Sequence, residues 1–524
     1  MLSVRIISIF LCTLPTSSYL CIPDNVKSMK RLLWLLTLLM SVSLLFAAQG
    51  PHVSERIKYK NGPAYIFRLY LNDKRGTPYS LNHPHRFLSR RSIDRRKRQH
   101  LPLDSTDLPV NPRYIRLIAN CGVNIIGQSR WQNTVLVRTK DSTAIEQLRQ
   151  LPCVKDSRLV WLSPDSVTPT AVKTPYHSKL EALHYIMDQP YGRSYTQINT
   201  LQGHRLHQIG LKGQNMMIAI IDGGFKNANV IPAFQRVAIN GYKDFVTPAS
   251  PSIFAETDHG TKVLSTMATN EPNYYIGTAP EASYWLLRSE DQQTEQEVEE
   301  DYWTMAAEFA DSVGCDLINS SLGYTTYDHP WMSHKLWQLD GHTTFISHSA
   351  SQLADKGIIL INAAGNSGMG PWKKIDVPAD ADKTLTVGAI SADDPRHIAP
   401  FSSVGPAQDG RTKPDIVAIG APAFLINGRG VIMEDMGTSF SAPIVCGLMA
   451  CLWQAMPEAT AYEMIQLIRQ CGNNSDHPDN IYGYGVPNFW KAYLTHKAHK
   501  PHEPNKPNKP NEPNEPNEAN NLPN

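Results

Sequence analysis

The stretch Met436-Gly437-Thr438-Ser439-Phe440-Ser441-Ala442-Pro443 decides how the rest of the chain is read. Ser439 stands between a small-residue turn and a helix start. The residues that follow, Ile444, Val445, Leu448, Met449, Leu452 and Trp453, are apolar on nearly every side, which places that helix in a core. Gly437 permits a tight approach, and Pro443 is expected within the first helical turn, where a missing N–H is tolerated. The Ser439 hydroxyl therefore sits where free backbone N–H groups and the helix dipole favour an oxyanion. That suits the nucleophile of an acyl transfer; the plain alternative is a serine capping a core helix.

A serine hydroxyl needs a general base, and the base needs an orienting carboxylate. Met216 to Ile221 is a continuous apolar run that ends at Asp222-Gly223-Gly224. It reads as a buried parallel strand with an acid at its C-terminal tip, the edge where functional groups gather in open α/β sheets. Asp258-His259-Gly260-Thr261 precedes Val263, Leu264, Met267 and Ala268, so His259 lies near a helix start. Ile358 to Ala364 reads as another buried strand, leading to a glycine-flanked Asn366 whose amide suits donation to a developing oxyanion. Taken singly, Asp222 fits a turn cap, His259 a surface histidine and Asn366 an ordinary turn residue.

Taken together, Asp222, His259, Asn366 and Ser439, in "AIIDGG", "DHGT", "AAGN" and "GTSFSAP", resemble the subtilisin-like (subtilase) serine peptidases. The order Asp, His, Ser is that of subtilisin and not of chymotrypsin or the α/β-hydrolases. "GTAPEA" (Gly277 to Ala282), "SSLGY" (Ser320 to Tyr324), "VPA" (Val377 to Ala379) and "FSSVGP" (Phe401 to Pro406) extend the resemblance over roughly residues 200–495. It implies a triad of Asp222, His259 and Ser439, with Asn366 as oxyanion donor. Ser321, Leu322, Gly323, Ala363, Ala364 and Gly365 would wall the primary specificity pocket. No charge stands in those walls, so they suggest apolar side chains before the cut. The resemblance implies protein or peptide substrates and no organic cofactor. Structural calcium is common in such proteins, but no run here spells a calcium loop, and no metal ligands are expected. The alternatives are a catalytically silent binding module on the same scaffold and a sedolisin-type peptidase. The filled catalytic positions argue against the first, and His259 and Asn366 against the second.

The 524 residues allow more than one domain, and the net charge of +2 gives no support for nucleic acid as a partner. Residues 1–28 read as an upstream segment, with Met29 the expected start. Met29-Lys30-Arg31 opens an apolar run, Leu32 to Ala48, that reads as a signal peptide over 29–50, suited to cleavage after Gly50. The chain is expected to meet a membrane only during export, and to work as a secreted, periplasmic or cell-surface protein. Residues 51–162 read as β-α-β-β-α-β, a ferredoxin-like order; by the resemblance this unit is a propeptide that assists folding and then inhibits. Residues 163–200 read as a linker holding the maturation site, and 201–495 as the catalytic domain. Strands alternating with helices there imply an α/β three-layer sandwich around a mostly parallel sheet. The last residues, 496–524, repeat Pro-Asn-Lys or Pro-Asn-Glu and read as a disordered, polyproline-like tail.

Two charge runs lack an obvious role. Arg90, Arg91, Arg95, Arg96, Lys97 and Arg98 read as a solvated helix face. Glu290, Asp291, Glu295, Glu297, Glu299, Glu300 and Asp301 read as a solvated helix start; attraction of basic substrates is the sharper alternative and is not adopted. Cys446 and Cys451 read as buried small hydrophobes. A Cys315–Cys471 disulfide is compatible with export but has no support in the sequence.

Overall fold

The structure is a computed structural model that describes residues 64–164, 189–246 and 252–499, with the residue pairs 57–58 and 166–167. The expected upstream segment, signal peptide, most of the linker and the tail beyond 499 lie outside the described residues.

Strand β1 (Tyr65–Leu71) opens the N-terminal unit. Helices α1 (Arg90–Arg98) and α2 (Pro112–Ala119) follow, then β2 (Asn124–Ser129), β3 (Thr134–Thr139), α3 (Ala144–Arg149) and β4 (Val154–Leu162). The strands form one antiparallel sheet in the order β2-β3-β1-β4, the ferredoxin-like arrangement. Side chains alternate across β1. Phe67, Leu69 and Leu71 pack with Ile118, Val135, Val137 and Leu148 in the unit's own core. Ile66 faces the other way and joins a core it shares with the larger domain.

That larger domain holds α4 (Tyr195–Thr200), α5 (Gly203–Gln208), β5 (Met217–Asp222), β6 (Ala238–Asp244), α6 (His259–Ala268) and β7 (Ser283–Arg288). Next come α7 (Val298–Val313), β8 (Leu317–Ser320), α8 (Phe345–Ser351), β9 (Ile359–Ala363), β10 (Leu385–Ser391) and β11 (Ile416–Ala421). The hairpin β12 (Ala423–Ile426) and β13 (Ile432–Asp435) leads to α9 (Thr438–Gln454), α10 (Ala461–Gln470) and α11 (Phe489–His499). Seven parallel strands form one sheet in the order β11-β10-β9-β8-β5-β7-β6. Ile218 and Ile220 of β5 join the core that α6 and α9 share, while Ala219 and Ile221 join the cluster of α7. The chain turns outward in opposite directions from β5 and β8, so their C-terminal ends open a crevice between them.

Several expectations change. Pro443 is the sixth residue of α9, beyond its first turn. The carbonyl it leaves without a helical donor is that of Ser439, and the Ser321 hydroxyl donates to it at 2.8 Å. The apolar and polar pattern of Thr343 to Lys356 reads as one helix closed by Gly357, but α8 ends at Ser351, and a short 3-10 turn follows before Gly357 takes φ +82°. Residues 195–200 of the expected linker are helical, with Ile198 fully buried and Gln197 bonded to the Tyr275 hydroxyl at 2.9 Å. Cys315 and Cys471 are unbridged, and Cys446 and Cys451 are buried in α9.

Neither charge run is wholly solvated: Arg90, Lys97, Arg98 and Glu295 face solvent, but other members are buried. Arg95 and Arg96 are buried and reach Asp311 of α7 at 2.5 and 2.9 Å, and Arg130 reaches the same carboxylate at 2.5 Å. Arg68 of β1 pairs with Glu297 at 3.1 Å and Asp301 at 2.5 Å. Glu300 is buried against His334 at 2.9 Å. A charge pattern looks solvated when its partners lie hundreds of residues away in sequence. Burial pulls the Asp311 carboxyl upward, but the guanidinium groups of Arg96, Arg130 and Arg95 outweigh it and hold it below the usual carboxylate range.

Replacing Asp311 by Asn strips three guanidinium groups of a shared counter-charge. The expected loss is about 3–5 kcal/mol of unfolding free energy, the scale for breaking one side of a buried ion pair. Denaturant midpoints of the unprocessed chain test this; an unchanged midpoint would show that the network contributes nothing net.

Candidate active site

Asp222 ends β5 with its carboxylate fully buried. The next N–H, from Gly223, donates to its Oδ1 at 2.7 Å. His259 is the first residue of α6, and its Nδ1 lies 2.9 and 3.0 Å from the two Asp222 oxygens. The strand tip and the helix start thus lock the imidazole, leaving its other face toward the cleft. Burial alone would lower the His259 pKa, but the charge and hydrogen bond of Asp222 outweigh it and raise it above the ordinary histidine value.

Ser439 is the second residue of α9, and all but the last of the seventeen residues in that helix are buried. Its Oγ donates to the Ser321 carbonyl at 3.3 Å, and no hydrogen bond joins it to His259. The Phe440 ring lies against His259 at 5.7 Å between centroids, so the first turn of α9 abuts the imidazole. Looser contacts of this kind are common before substrate enters.

Asn366 follows β9 and is anchored through Thr438. Its Oδ1 accepts from both the backbone N–H and the hydroxyl of Thr438, each at 3.0 Å. With the oxygen taken, the amide nitrogen is the end left to donate into the cleft. Sequence reasoning passed over Thr438, although its place inside "GTSFSAP" was the available signal.

One cleft of about 510 Å³ gathers Asp222, His259, Asn366 and Ser439 with Ser321, Leu322, Gly323, Ala363 and Gly365. Ala364 does not line it. Its methyl joins the core, and its carbonyl accepts the Asp376 N–H at 3.1 Å. Three acids outside the expected walls also line the cleft: Glu290, Glu295 and Asp376. Asp376 immediately precedes the "VPA" segment, so its neighbour was visible in the sequence but its direction was not.

Residues 213–485 match the model of the subtilase family, and residues 67–175 match the peptidase S8 propeptide domain of Bacteroidota. The chain belongs to the subtilase family of serine-type peptidases. Among curated relatives, subtilisin NAT of Bacillus subtilis subsp. natto is 25% identical over 347 residues, covering 66% of this chain and 76% of that protein. Serine protease AprX of Bacillus subtilis is 27% identical over 308 residues, 53% of this chain and 66% of its own. The membrane-bound transcription factor site-1 protease of Mus musculus is 29% identical over 262 residues, 48% of this chain and 22% of its own.

The Asp222–His259 pairing predicts a titration. In Asp222→Asn the imidazole keeps its burial and loses the charge that opposes it, so its pKa should fall below about 6.5. Histidine ring-proton NMR across the pH range reads this; a wild-type value already below that figure would contradict the pairing.

Proposed function

We propose that the protein is an exported serine endopeptidase, with Asp222, His259 and Ser439 as its triad. The observation that carries this reading is the buried Asp222 carboxylate held on His259 Nδ1, in the same cleft as a serine on a buried helix N-terminus. His259 takes the Ser439 proton through Nε2 as Oγ attacks a peptide carbonyl. Asp222 fixes the tautomer and stabilises the imidazolium. The tetrahedral oxyanion is met by the Asn366 amide and the N–H of Ser439 at the start of α9, where the dipole favours negative charge. His259 then protonates the leaving amine, an acyl-enzyme remains, and water resolves it by the same base. None of these steps requires a cofactor. The loops Ser321–Gly323 and Ala363–Gly365 flank the side chain that precedes the cut.

The N-terminal unit is read as an intramolecular inhibitor. The end of β4 is fastened beside the cleft: the Leu162 N–H and carbonyl each bond the Gln296 side chain at 2.8 Å, next to the cleft residue Glu295. The chain leaving β4 therefore starts from the cleft's rim. Among the described residues no helix is long and apolar enough to cross a membrane. The reading of export rests on the basic and apolar run at 29–50.

A fluorophosphonate should label the matured protein on Ser439, and Ser439→Ala, expressed alone, should persist as the unprocessed precursor. Maturation of that variant in a host without other proteases would refute self-processing. A silent binding module would take no label. Asn366→Leu removes a donor used mainly by the transition state, so turnover should fall about 10²–10³-fold with little change in the Michaelis constant. A large rise in the Michaelis constant at normal turnover would make Asn366 a substrate-binding residue instead.

A further inference from the structure

The loops flanking the cleft beside Ser439 carry no charge of their own, but a carboxylate stands between them. Asp376 is 7% exposed and lines the cleft. Its segment is pinned to both loops. The Asp376 N–H donates to Ala364, and Tyr324 and Val377 exchange backbone hydrogen bonds at 2.8 and 3.2 Å. The two glycines of the loops make the room. A Cβ on Gly323 would stand 2.8 Å from the Asp376 Cβ, and one on Gly365, which holds φ +107°, would collide with the carboxylate itself. The side chain is thus fixed in place by backbone on two sides.

What this carboxylate lacks is a partner of opposite charge. Ser367 donates to its Oδ1 at 3.3 Å, and among the described residues no cationic side chain is paired with it. The buried acids that face the N-terminal unit or His334 each have one: Asp311 has three arginines, Asp301 and Glu297 have Arg68, Glu300 has His334. Burial consequently pushes the Asp376 carboxyl up to about 7. A buried acid without a counter-ion is costly and is retained where something else neutralises it.

Two further acids of the cleft repeat the sign. Glu290 accepts from the Tyr324 hydroxyl and Glu295 stands close by; desolvation, with repulsion from Glu295 on the first and from Asp328 on the second, pushes them up to about 8 and about 7. No lysine or arginine lines the cleft. The walls alone suggested an apolar side chain before the cut, and attraction of basic substrates was not adopted; the position of Asp376 reverses both expectations.

We propose that Asp376 is the specificity-determining residue of this cleft and makes its primary pocket a receptor for lysine or arginine side chains, so that the chain is cut after a basic residue. This rests on the reading of Ser439 as the nucleophile. A substrate guanidinium or ammonium supplies the missing counter-charge, with the planar guanidinium able to engage both carboxylate oxygens. An aromatic or aliphatic side chain in the same place would leave the acid buried and unpaired, and it is rejected for that reason. A cation entering the cleft would also favour ionisation of Glu290 and Glu295, whose carboxyls burial otherwise holds toward the neutral form.

The test uses the matured protein and a set of peptides that differ only in the residue before the cut. Arginine or lysine should exceed leucine or phenylalanine by about 10² in kcat/KM, and Asp376→Ser should erase that preference by a similar factor, chiefly through the basic peptides. Asp376→Asn keeps the shape and should behave in the same direction, and fluorophosphonate labelling of both variants reports that they are folded. A wild-type protein that is labelled yet cuts after apolar residues overturns the proposal while sparing the assignment of Ser439. So does a basic preference that survives both substitutions. A wild-type protein that neither takes the label nor cuts any peptide overturns both.

Discussion

The structure depends on burying a helix whose first turn must stay open. Helix α9 packs against α6 and the β8–β11 half of the sheet, and its side chains contribute from Phe440 to Trp453 to one core. A helix this enclosed leaves its first N–H groups without helical partners, and they need an outlet. Here the outlet is the crevice beyond β5 and β8. Pro443 sharpens the arrangement, because it removes the donor that would have bonded the Ser439 carbonyl. Ser321, at the end of a neighbouring strand, takes over that bond and ties the serine to the loop beside it. The open end of the helix is thus held by the core behind it and by a hydroxyl from the side.

The second constraint is electrostatic. The sheet of the N-terminal unit uses α2 and α3 to cover one face and α7 to cover the other. The contact on that second face mixes aromatic packing, through Trp131, Trp161, Tyr302 and Trp303, with arginine–carboxylate pairs excluded from water. Ion pairs of this depth add little net stability over an apolar contact, but they penalise any arrangement that leaves one partner alone. They therefore specify register: Arg68, Arg95, Arg96 and Arg130 meet α7 in one alignment or lose their counter-charges.

The parallel sheet and the quartet Asp222, His259, Asn366 and Ser439 were legible because each rests on a local pattern. An apolar run ends at an acid, a histidine starts a helix, and a serine precedes an all-apolar helix. Edge strand β6 was missed because most of its residues face solvent and show no alternation. The β12–β13 hairpin and α10 were missed because their short amphipathic patterns were overshadowed by the motifs on either side. Arg95, Arg96 and the acids of α7 read as solvated because burial of a charge is decided by its partner, and key partners lie far off in sequence: Arg96 and Asp311 are 215 residues apart, Arg68 and Asp301 233. Asp376 escaped for a related reason. Nothing local distinguishes an acid that turns into a pocket from one that turns to solvent; two glycines on other loops decide it.

The carboxylates of α7 also act as a recognition code. Asp311 accepts three guanidinium groups from two separate segments of the N-terminal unit, Arg95 and Arg96 from α1 and Arg130 from the β2–β3 turn. A prosegment taken from a relative, sharing the ferredoxin-like fold but lacking arginine at any of these places, would dock with an uncompensated acid at the centre of its interface. Such mismatched pairs are discriminated against by unpaired charge rather than by shape. A substitution that removes one of these arginines is therefore compensated only by a matching change at Asp311 or beside it.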